Sequence, residues 1–519
     1  MGIRFKRHGI ATDCTPRAVH NFCSEMSKRS ATELLTPATT AGQPFSKASG
    51  SGSKRENVAP EEMGEFEDAW EDEIESDEEV VNAEAAEDPD GMDIDEEVMP
   101  AIEESDEKPV APDAFIPGRH KLEPDEILEP DDSVYIMRHS MKVTWPCLSF
   151  DVLRDNLGDE RQRYPATSYL VSGTQADSSK DNEVVVYKLS SLHKTQKDGD
   201  DSDSEDENED DEDENLDEDP IVEYRSIPHT GGVNRIRAQP LPPSSQLPPV
   251  SQPYHVASWA DTGKVHIWDV RPLIESLDVP GYSLDKRRTH TPVYTVNSHG
   301  RAEGFAMDWA ATGSSLRLLT GDIHSKIYLT TSSPSGFSTN AQPFVSHTSS
   351  VEDLQWSPTD LTVFASCSAD QSVMIWDIPD QGTPESTAYL LLSGGDEGGV
   401  KVWDLRNIKK TGEPNPTPVA SFSWHKAPIT SIEWHPTEDA IFAAAGADDQ
   451  VTMWDLGVEL DDDEMGGVDE TQDSEMPPQI MFIHQGQTDI KELHWHPQIP
   501  GAIITTASDG FNIFKTISV

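Results

Sequence analysis

Residues 347–378 read HTSSVEDLQWSPTDLTVFASCSADQSVMIWDI and contain one structural unit that recurs along the chain. An apolar run ends at Trp356 in a Ser-Pro turn, a second run spans 363–366 and a third spans 373–378. Short runs of β-branched and aromatic residues separated by turn residues predict three strands. An isolated meander of this size leaves an apolar face in water, so neighbouring copies must cover it. The stretch predicts an all-β repeat protein.

The repeat can be counted from the aromatic residue in the third strand of each unit and an Asp five to seven residues before it. A first unit without this signature precedes residue 190, and six units follow, so the sequence predicts seven. The six pairs are Asp261 with Trp268, Asp322 with Tyr328, Asp370 with Trp376, Asp396 with Trp403, Asp448 with Trp454 and Asp509 with Phe514.

The fifth unit is shorter than the others. Its aromatic, Trp403, follows Trp376 by only 27 residues, where the other spacings are 48 to 60 residues. Residues 379–389, PDQGTPESTAY, hold no first strand. Either blade five lacks its innermost strand or the sequence lacks an exon-sized segment. We favour the second alternative, because a missing inner strand exposes neighbouring backbone groups that should be paired.

The negative charge is concentrated in three tracts. The formal net charge is −57, and 49 of the 96 acidic residues lie in 61–107, 198–219 and 459–475, which contain no Lys or Arg. The rest of the chain has 47 acidic and 39 basic residues, an ordinary balance for a soluble domain. We therefore expect a folded domain over 115–519 with two acidic loops.

The region before this domain is expected to be disordered. Residues 1–60 are rich in Ser, Thr, Ala and Gly, and Met26 reads as an alternative start. Residues 61–114 form an acidic arm in which Phe66 and Trp70 are candidate anchors for a basic partner. Ser202 and Ser204 in the second tract resemble sites of acidic-directed kinases.

His347, Ser366 and Asp370 have the residue types of a hydrolase triad. The set recurs in part at His425 and Asp448, whereas a nucleophilic site needs one constellation with an oxyanion partner. We therefore interpret these residues as hydrogen-bond relays that tie the turn before each first strand to the third strand.

Other chemical signatures are weak. His484, His494 and His496 have no Cys or carboxylate at ligand spacing, so no metal site is predicted. No Gly-rich phosphate loop followed by Lys occurs, so we expect no cofactor and no catalysis. No apolar run approaches the roughly 18 residues that span a bilayer, so no membrane partner is expected.

Trp-Asp pairs close four units, at 268–269, 376–377, 403–404 and 454–455. With these pairs the chain resembles the WD-repeat β-propellers over about residues 130–519. The resemblance implies a seven-bladed propeller with a shortened fifth blade. In such a ring a strand from the N-terminal side completes the last blade, so we expect 133–139 to pair with 511–516.

The similarity extends to a narrower family. The phrase TWPCLSFDVL from Thr144 resembles the histone-binding WD-repeat chaperones. More specifically, the chain is similar to the glutamate-rich WD-repeat proteins that act in ribosome assembly. The stretches that carry this similarity are FEDAWEDEIES from Phe66, SGGDEGGVKVWDLR from Ser393, HKAPITSIEWHP from His425, FIHQGQTDIKELHWHPQIPGAI from Phe482 and FNIFKTISV from Phe511.

The resemblance implies a ribosome biogenesis factor that escorts a basic protein, large-subunit ribosomal protein L-three, to pre-ribosomal particles in the nucleolus. Composition supports a basic protein client, because acidic tracts screen Lys and Arg but repel phosphate. We therefore expect no direct nucleic-acid binding.

Two alternatives remain open. The first is a histone-binding chaperone in chromatin assembly, located in the nucleus. The second is a substrate receptor of a cullin ubiquitin ligase, because Trp268 to Arg271 and Trp403 to Arg406 match a W-D-x-R pattern.

Partner contacts are expected on the face where first strands begin, since propeller ligands often bind there. The candidate contact residues are Asn234, Arg235, Phe305, Glu352, Asp353, Thr430, Lys491 and Glu492.

Overall fold

The computed structural model describes residues 2–6, 17–20, 115, 130–195, 219–243, 245–311, 313, 315–378, 390–407, 416–458 and 476–519. Met1–Lys28 and Lys121–Val519 together form one compact unit, and Arg29–His120 forms a second, of which Phe115 is described. Several predicted features lie outside the described residues: Phe66, Trp70, Ser202, Ser204 and the acidic tracts apart from Asp219.

The described strands form seven four-stranded antiparallel sheets, the blades of a β-propeller. We letter the strands of each blade from A, which contacts the A strands of neighbouring blades at the centre, to D at the rim. The prediction of a seven-bladed all-β propeller is confirmed.

The first three blades use consecutive segments of chain. Blade one consists of Ser149–Leu153, Ala166–Gly173, Glu183–Leu192 and Ile221–Pro228. Blade two consists of Val233–Ala238, His255–Ala260, Val265–Asp269 and Tyr294–Val296. Blade three consists of Gly304–Trp309, Arg317–Asp322, Ile327–Ser333 and Gly336–Thr339.

Blades four to seven combine consecutive strands with strands from the N-terminal region. Blade four is Val351–Trp356, Val363–Ser368, Ser372–Asp377 and Arg17–His20. Blade five is Ile3–Lys6, Leu390–Gly394, Val400–Asp404 and Ala420–Phe422. Blade six is Ile429–Trp434, Ile441–Gly446, Val451–Asp455 and Ile480–His484. Blade seven is Glu492–Trp495, Ala502–Ala507, Gly510–Thr516 and Tyr135–Met141.

Short helices occur in two connections and before the closing strand. The C–D connection of blade two contains α1 (Arg271–Asp278) and α2 (Lys286–Thr289). Single 3-10 turns span Asp132–Val134 and Leu405–Asn407. Pro272 in the first turn of α1 has the fixed φ that a helix start favours.

The ring closes by pairing its two ends. Strand D of blade seven, Tyr135–Met141, runs antiparallel to strand C, with Phe511 opposite Met141 and Thr516 opposite Tyr135. The predicted pairing is confirmed, and the strand begins two residues later than expected. Because closure pairs the last sheet edge, opening the ring would expose a row of unpaired backbone groups.

Blade five is complete, contrary to the sequence-based expectation of a missing inner strand. Ile3–Lys6 pairs antiparallel with Leu390–Gly394, with Ile3 opposite Ser393. The amide of Gly394 donates to the carbonyl of Gly2 over 3.0 Å, and the Ile3 side chain is fully buried. The need to pair the edge of Leu390–Gly394 is met by a segment about 390 residues earlier. The expected disordered tail therefore does not extend over Ile3–Lys6.

The apolar core lies between adjacent blades. In blade four the rings of Phe364 and Trp376 stack with centroids 5.6 Å apart, and Trp356 packs beside them. The same buried cluster includes Leu319 and Ile327 of blade three. Burial of each large side chain contributes about 1.5–3 kcal/mol, so each blade covers the apolar face of its neighbour, as the repeat predicted.

Candidate protein-binding faces and the charged central channel

In blade four a buried chain of hydrogen bonds links strand C to the turn before strand A. Nε1 of Trp376 donates to Ser366 Oγ over 2.8 Å, and Ser366 Oγ lies 2.6 Å from His347 Nε2. His347 Nδ1 lies 3.0 Å from Asp370 Oδ2. Burial lowers the pKa of His347, so the neutral ring donates from Nδ1 and accepts at Nε2. Ser366 is fully buried, so this triad-like set forms a structural relay.

Two further blades contain the relay with a local replacement. In blade three His299 Nδ1 lies 2.8 Å from Asp322, and in blade six His425 Nδ1 lies 2.8 Å from Asp448. In blade six the hydroxyl of Thr452, on strand C, takes the place of the strand-B serine and lies 2.9 Å from His425 Nε2. The recurrence indicates that these groups hold turns in place.

The remaining predicted aromatic positions are also packed into blades. Trp268 and Trp403 donate from Nε1 to serine hydroxyls over 2.9 and 2.8 Å, and Trp454 donates to a threonine over 2.7 Å. Tyr328 packs edge-on against a histidine at 4.8 Å, and Phe514 stacks on a histidine at 3.9 Å between centroids. All five side chains are buried.

Three of the predicted aspartates differ from this pattern. Asp261 and Asp509 are exposed, and Asp396 is half-buried. Burial raises the pKa of Asp396. The Asp-to-aromatic spacing therefore located the turns of all six units, although only Asp322, Asp370 and Asp448 bond the relay histidine.

Charged side chains line the inner strands at the centre of the ring. Glu492 Oε1 accepts from Arg235 Nη1 over 2.7 Å and from Arg237 Nη2 over 2.5 Å. Burial alone would raise the pKa of Glu492, but the charges of Arg237 and Arg235 hold it well below its usual range. Glu492 is only 1% exposed. Arg235 and Glu492 are thus paired inside the channel wall and do not present free contacts to a partner.

A second ion pair joins blades four and five. Asp353 Oδ2 lies 2.7 Å from Arg4 Nη1 and accepts the Ile3 amide over 3.2 Å. Burial would raise the pKa of Asp353, but Arg4 and other guanidinium charges lower it. Asp353 is 3% exposed, so it anchors the N-terminal strand and is not a surface contact.

Acidic side chains link the innermost strand of one blade to that of the next. Five carboxylates each accept a hydrogen bond from a backbone N–H of the following blade, and such charge-assisted bonds are stronger than neutral ones. The pairs are Asp151 with Ala238 (2.8 Å), Asp308 with Trp356 (2.6 Å), Asp353 with Ile3 (3.2 Å), Glu433 with Trp495 (3.3 Å) and Glu492 with Phe150 (3.0 Å). We call these five residues the acidic belt.

Sequence reasoning missed most of the belt, together with His494, although a signal was present. Asp308, Glu433 and His494 each directly precede the tryptophan that ends strand A. Burial alone would lower the pKa of His494, but Glu433 and Glu492 raise it to about 9, so the ring is cationic at neutral pH. Burial raises the pKa of Asp308 to about 7. A polar residue at this position in successive units indicates the channel wall.

The other predicted contact residues lie around the channel opening. Asn234 is buried, Lys491 is paired with Asp489 at 2.5 Å, and the Thr430 hydroxyl donates to a backbone carbonyl over 3.2 Å. Phe305 and Glu352 are half-buried. The latter two are the most available of the predicted contacts.

The two faces of the ring carry different features. Relay histidines and aspartates lie in D–A connections and B–C turns, which share one face. The acidic tracts 198–219 and 459–475 lie in the C–D connections of blades one and six, which begin and end at the opposite face. Blade seven stands between blades six and one, so the two tracts leave the ring on either side of it. The tracts and the predicted contact residues are therefore on opposite faces.

The W-D-x-R arginines are engaged within the chain. Arg271 is 6% exposed, bonds the Pro248 carbonyl over 2.5 Å and pairs with Glu275 at 2.9 Å. Arg406 pairs with Asp404 at 2.7 Å. Arg271 begins α1 and is not presented at the surface.

Histidines 484, 494 and 496 have separate roles. His484 bonds the Tyr135 hydroxyl over 2.8 Å, His494 donates to Glu433 over 2.9 Å, and His496 Nδ1 accepts the Gln498 amide over 3.0 Å. Within the described ranges, no group of three or more potential ligands is placed to hold a metal ion. In the same part of the chain, no helix has the length and apolar character required to span a bilayer.

We expect stability to fall with acidity more steeply in the native chain than in a His484→Gln variant. Burial lowers the pKa of His484 to about 3, so the ring stays neutral in the fold but protonates near its ordinary value of 6.5 when unfolded. The stability it contributes is present above pH 6.5 and is lost as pH falls. From pH 7 to 5 the native chain should lose about 2 kcal/mol more than the variant, measured by urea unfolding. Equal losses would contradict the assignment.

Comparison with known proteins places the chain. A family model described as histone-binding protein RBBP4, or the corresponding component of the CAF1 complex, matches residues 125–193, and the WD domain, G-beta repeat matches 339–377 and 416–455. The ribosome assembly protein rrb1 of Schizosaccharomyces pombe is 45% identical over 517 residues, covering 95% of this chain and 100% of that protein. The glutamate-rich WD repeat-containing protein 1 of Dictyostelium discoideum is 41% identical, covering 77% of this chain and 84% of that protein.

The chain belongs to the glutamate-rich WD-repeat family. A third relative, Protein HEAT STRESS TOLERANT DWD 1 of Arabidopsis thaliana, is 38% identical and covers 78% of this chain and 91% of that protein. The resemblance inferred from the sequence stretches is confirmed. The WD-repeat scaffold and the names of these relatives point to a non-enzymatic protein.

Proposed function

We propose that this chain is a ribosome biogenesis factor that escorts a basic protein of the large ribosomal subunit during assembly. The observation that carries the proposal is the match along 95% of the chain to a relative named as a ribosome assembly protein. By family resemblance the client is large-subunit ribosomal protein L-three. We place the activity in the nucleus and nucleolus, with pre-ribosomal particles as the destination.

The charge distribution supports a basic client. Three tracts contain 49 acidic residues without a single Lys or Arg, while the described blades form a rigid ring. Dense negative charge attracts a Lys- and Arg-rich protein and screens it from polyanions until delivery. The aromatic residues Phe66 and Trp70 supply anchors within the first tract, and phosphate on Ser202 or Ser204 would add to the charge of the second.

Release would follow from competition. Ribosomal RNA offers a denser array of negative charge than the tracts, so a basic client passes to RNA when both are present. The escort complex should therefore weaken as the salt concentration rises. The ring contributes the specific contacts, for which Phe305 and Glu352 remain candidates.

A histone-binding chaperone is the second candidate. Its support is the match of residues 125–193 to the histone-binding family model, which covers the closing strand and most of blade one. Histones are basic too, so the same tracts would serve. The two candidates differ in which basic proteins dominate the co-purified pool.

Affinity purification tests the proposal. The intact chain should enrich protein L-three, and replacing 61–107 and 198–219 by Gly-Ser segments of equal length should lower that enrichment by about tenfold or more. A chain in which a neutral segment such as 240–248 is replaced in the same way serves as control. Failure of the intact chain to enrich any large-subunit protein would falsify the proposal, and a pool dominated by histones would favour the second candidate.

A further inference from the structure

Strand D of blade one has a long, uncovered outer edge. Ile221–Pro228 is eight residues long and forms the last strand of its sheet, and no described residue pairs with its outer side. The D strands of blades two, three, five and six have three to five residues. Long flat edges are normally shortened, charged or covered in soluble proteins, because they offer a row of unpaired backbone groups to another chain.

Exposed apolar side chains lie along the first half of this strand. Ile221 is 51% exposed, Val222 37% and Tyr224 57%. Val222 and Tyr224 point to the same side of the sheet, where the Tyr224 ring lies 6.2 Å from that of Tyr187, and Ile221 points to the other. Four consecutive exposed positions that include three apolar residues are unusual for a monomer surface and mark an interaction site.

The acidic tract ends directly at this edge. Residues 198–219 contain 16 Asp and Glu and no Lys or Arg, and Ile221 follows after Pro220. Ile221 therefore lies at the face from which the tract leaves the ring. Glu223 adds an exposed carboxylate within the strand, and Arg225 is turned inward to donate to the Ser276 carbonyl over 3.1 Å. The charge beside the edge selects a cationic occupant.

We propose that the outer edge of Ile221–Pro228 accepts an extended, Lys- and Arg-rich segment of a protein partner as a fifth strand of blade one. Main-chain hydrogen bonds to the edge hold the segment, apolar residues at alternate positions pack on Val222 and Tyr224, and the basic residues between them face the acidic tract. This site rests on the proposed function, since its occupant is the basic client. It identifies where a flexible basic extension of that client binds.

The test uses the full-length chain and two fluorescent peptides of equal charge. One peptide of about twelve residues alternates Lys with Val, and the other alternates Lys with Gly. The Lys-Val peptide should bind at least about tenfold more tightly, and N-methylation of its alternate amides should remove that advantage. Amide hydrogen exchange in residues 221–226 should slow on binding of the Lys-Val peptide.

A charge-neutral variant isolates the strand from the tract. Val222→Ser with Tyr224→Ser should weaken binding of the Lys-Val peptide by about tenfold and leave the Lys-Gly peptide unaffected. Val345→Ser with Ile517→Ser is the matched control, because these side chains are 61% and 59% exposed on other blades. The control should bind both peptides like the native chain.

The outcomes separate this site from the proposed function. Equal binding of both peptides, or protection elsewhere without protection of 221–226, overturns the strand site while purification of the client still stands. A concentration-dependent dimer that protects 221–226 in the absence of peptide also overturns it, because the occupant is then a second copy. Absence of any basic client in the purification contradicts the proposed function itself.

Discussion

Replacing Glu492 by Gln will lower the free energy of unfolding by about 3–5 kcal/mol, one of the two largest effects that the structure predicts. The neutral amide keeps the shape but leaves the guanidinium groups of Arg235 and Arg237 in the channel wall without their shared carboxylate. It also replaces the charged acceptor of the Phe150 amide. Urea unfolding followed by tryptophan fluorescence measures the change.

A neighbouring residue supplies the control for this experiment. Lys491 is also ion-paired, to Asp489, but its side chain is 33% exposed. Lys491→Gln should therefore cost no more than about 1 kcal/mol, as is usual for surface pairs. If the two variants lose the same stability, the interpretation of the inner strands as a buried charged belt is wrong.

Replacing Ile3 by Asp will destabilise the ring by about 3 kcal/mol or more, because it places a carboxylate in a fully apolar position. Ile3 is 0% exposed and packs in a cluster with Leu391 and Trp403. Displacing Ile3–Lys6 would also free Asp353 from Arg4 and leave the indole of Trp434 without the Arg4 carbonyl that it bonds at 3.1 Å. The same denaturation measurement reports the loss.

Ile517→Asp is the matched control, since Ile517 is 59% exposed and the chemical change is identical. It should change stability by less than about 0.5 kcal/mol. Ile3→Val, which removes one buried methylene group, should fall between the two at about 0.5–1.5 kcal/mol. Equal stability of Ile3→Asp and Ile517→Asp would show that the N-terminal segment does not occupy blade five in solution.

The repeat architecture could be predicted because its information is local. The stretch 347–378 contains its strands, its turns and its relay residues within one unit, so hydrophobic alternation and turn chemistry suffice. The closing contact between 135–141 and 511–516 was also predictable, since a ring has only two ends to join.

The origin of the inner strand of blade five could not be predicted. Ile3–Lys6 is four residues long, too short for a periodic signal, and it pairs with a strand about 390 positions away. The sequence correctly indicated that the edge of Leu390–Gly394 required a partner. It contained no signal for which segment would supply one.

The inner-strand charges were misjudged for a related reason. Asp353 and Glu492 were predicted as partner contacts, because charged residues near the start of a strand usually face solvent. In the folded ring their side chains turn inward, where Arg4, Arg235 and Arg237 neutralise them. Those cations lie on other strands, so burial and pairing became visible only after the blades were assembled.

The central claim, escort of a basic ribosomal protein, is tested most directly by equilibrium binding of the purified full-length chain. Its affinity for purified protein L-three and for core histones should be measured as salt is raised. We predict tighter binding of L-three by about tenfold or more, together with marked weakening at high salt. Tighter binding of the histones, or the absence of L-three binding at low salt, would contradict the claim.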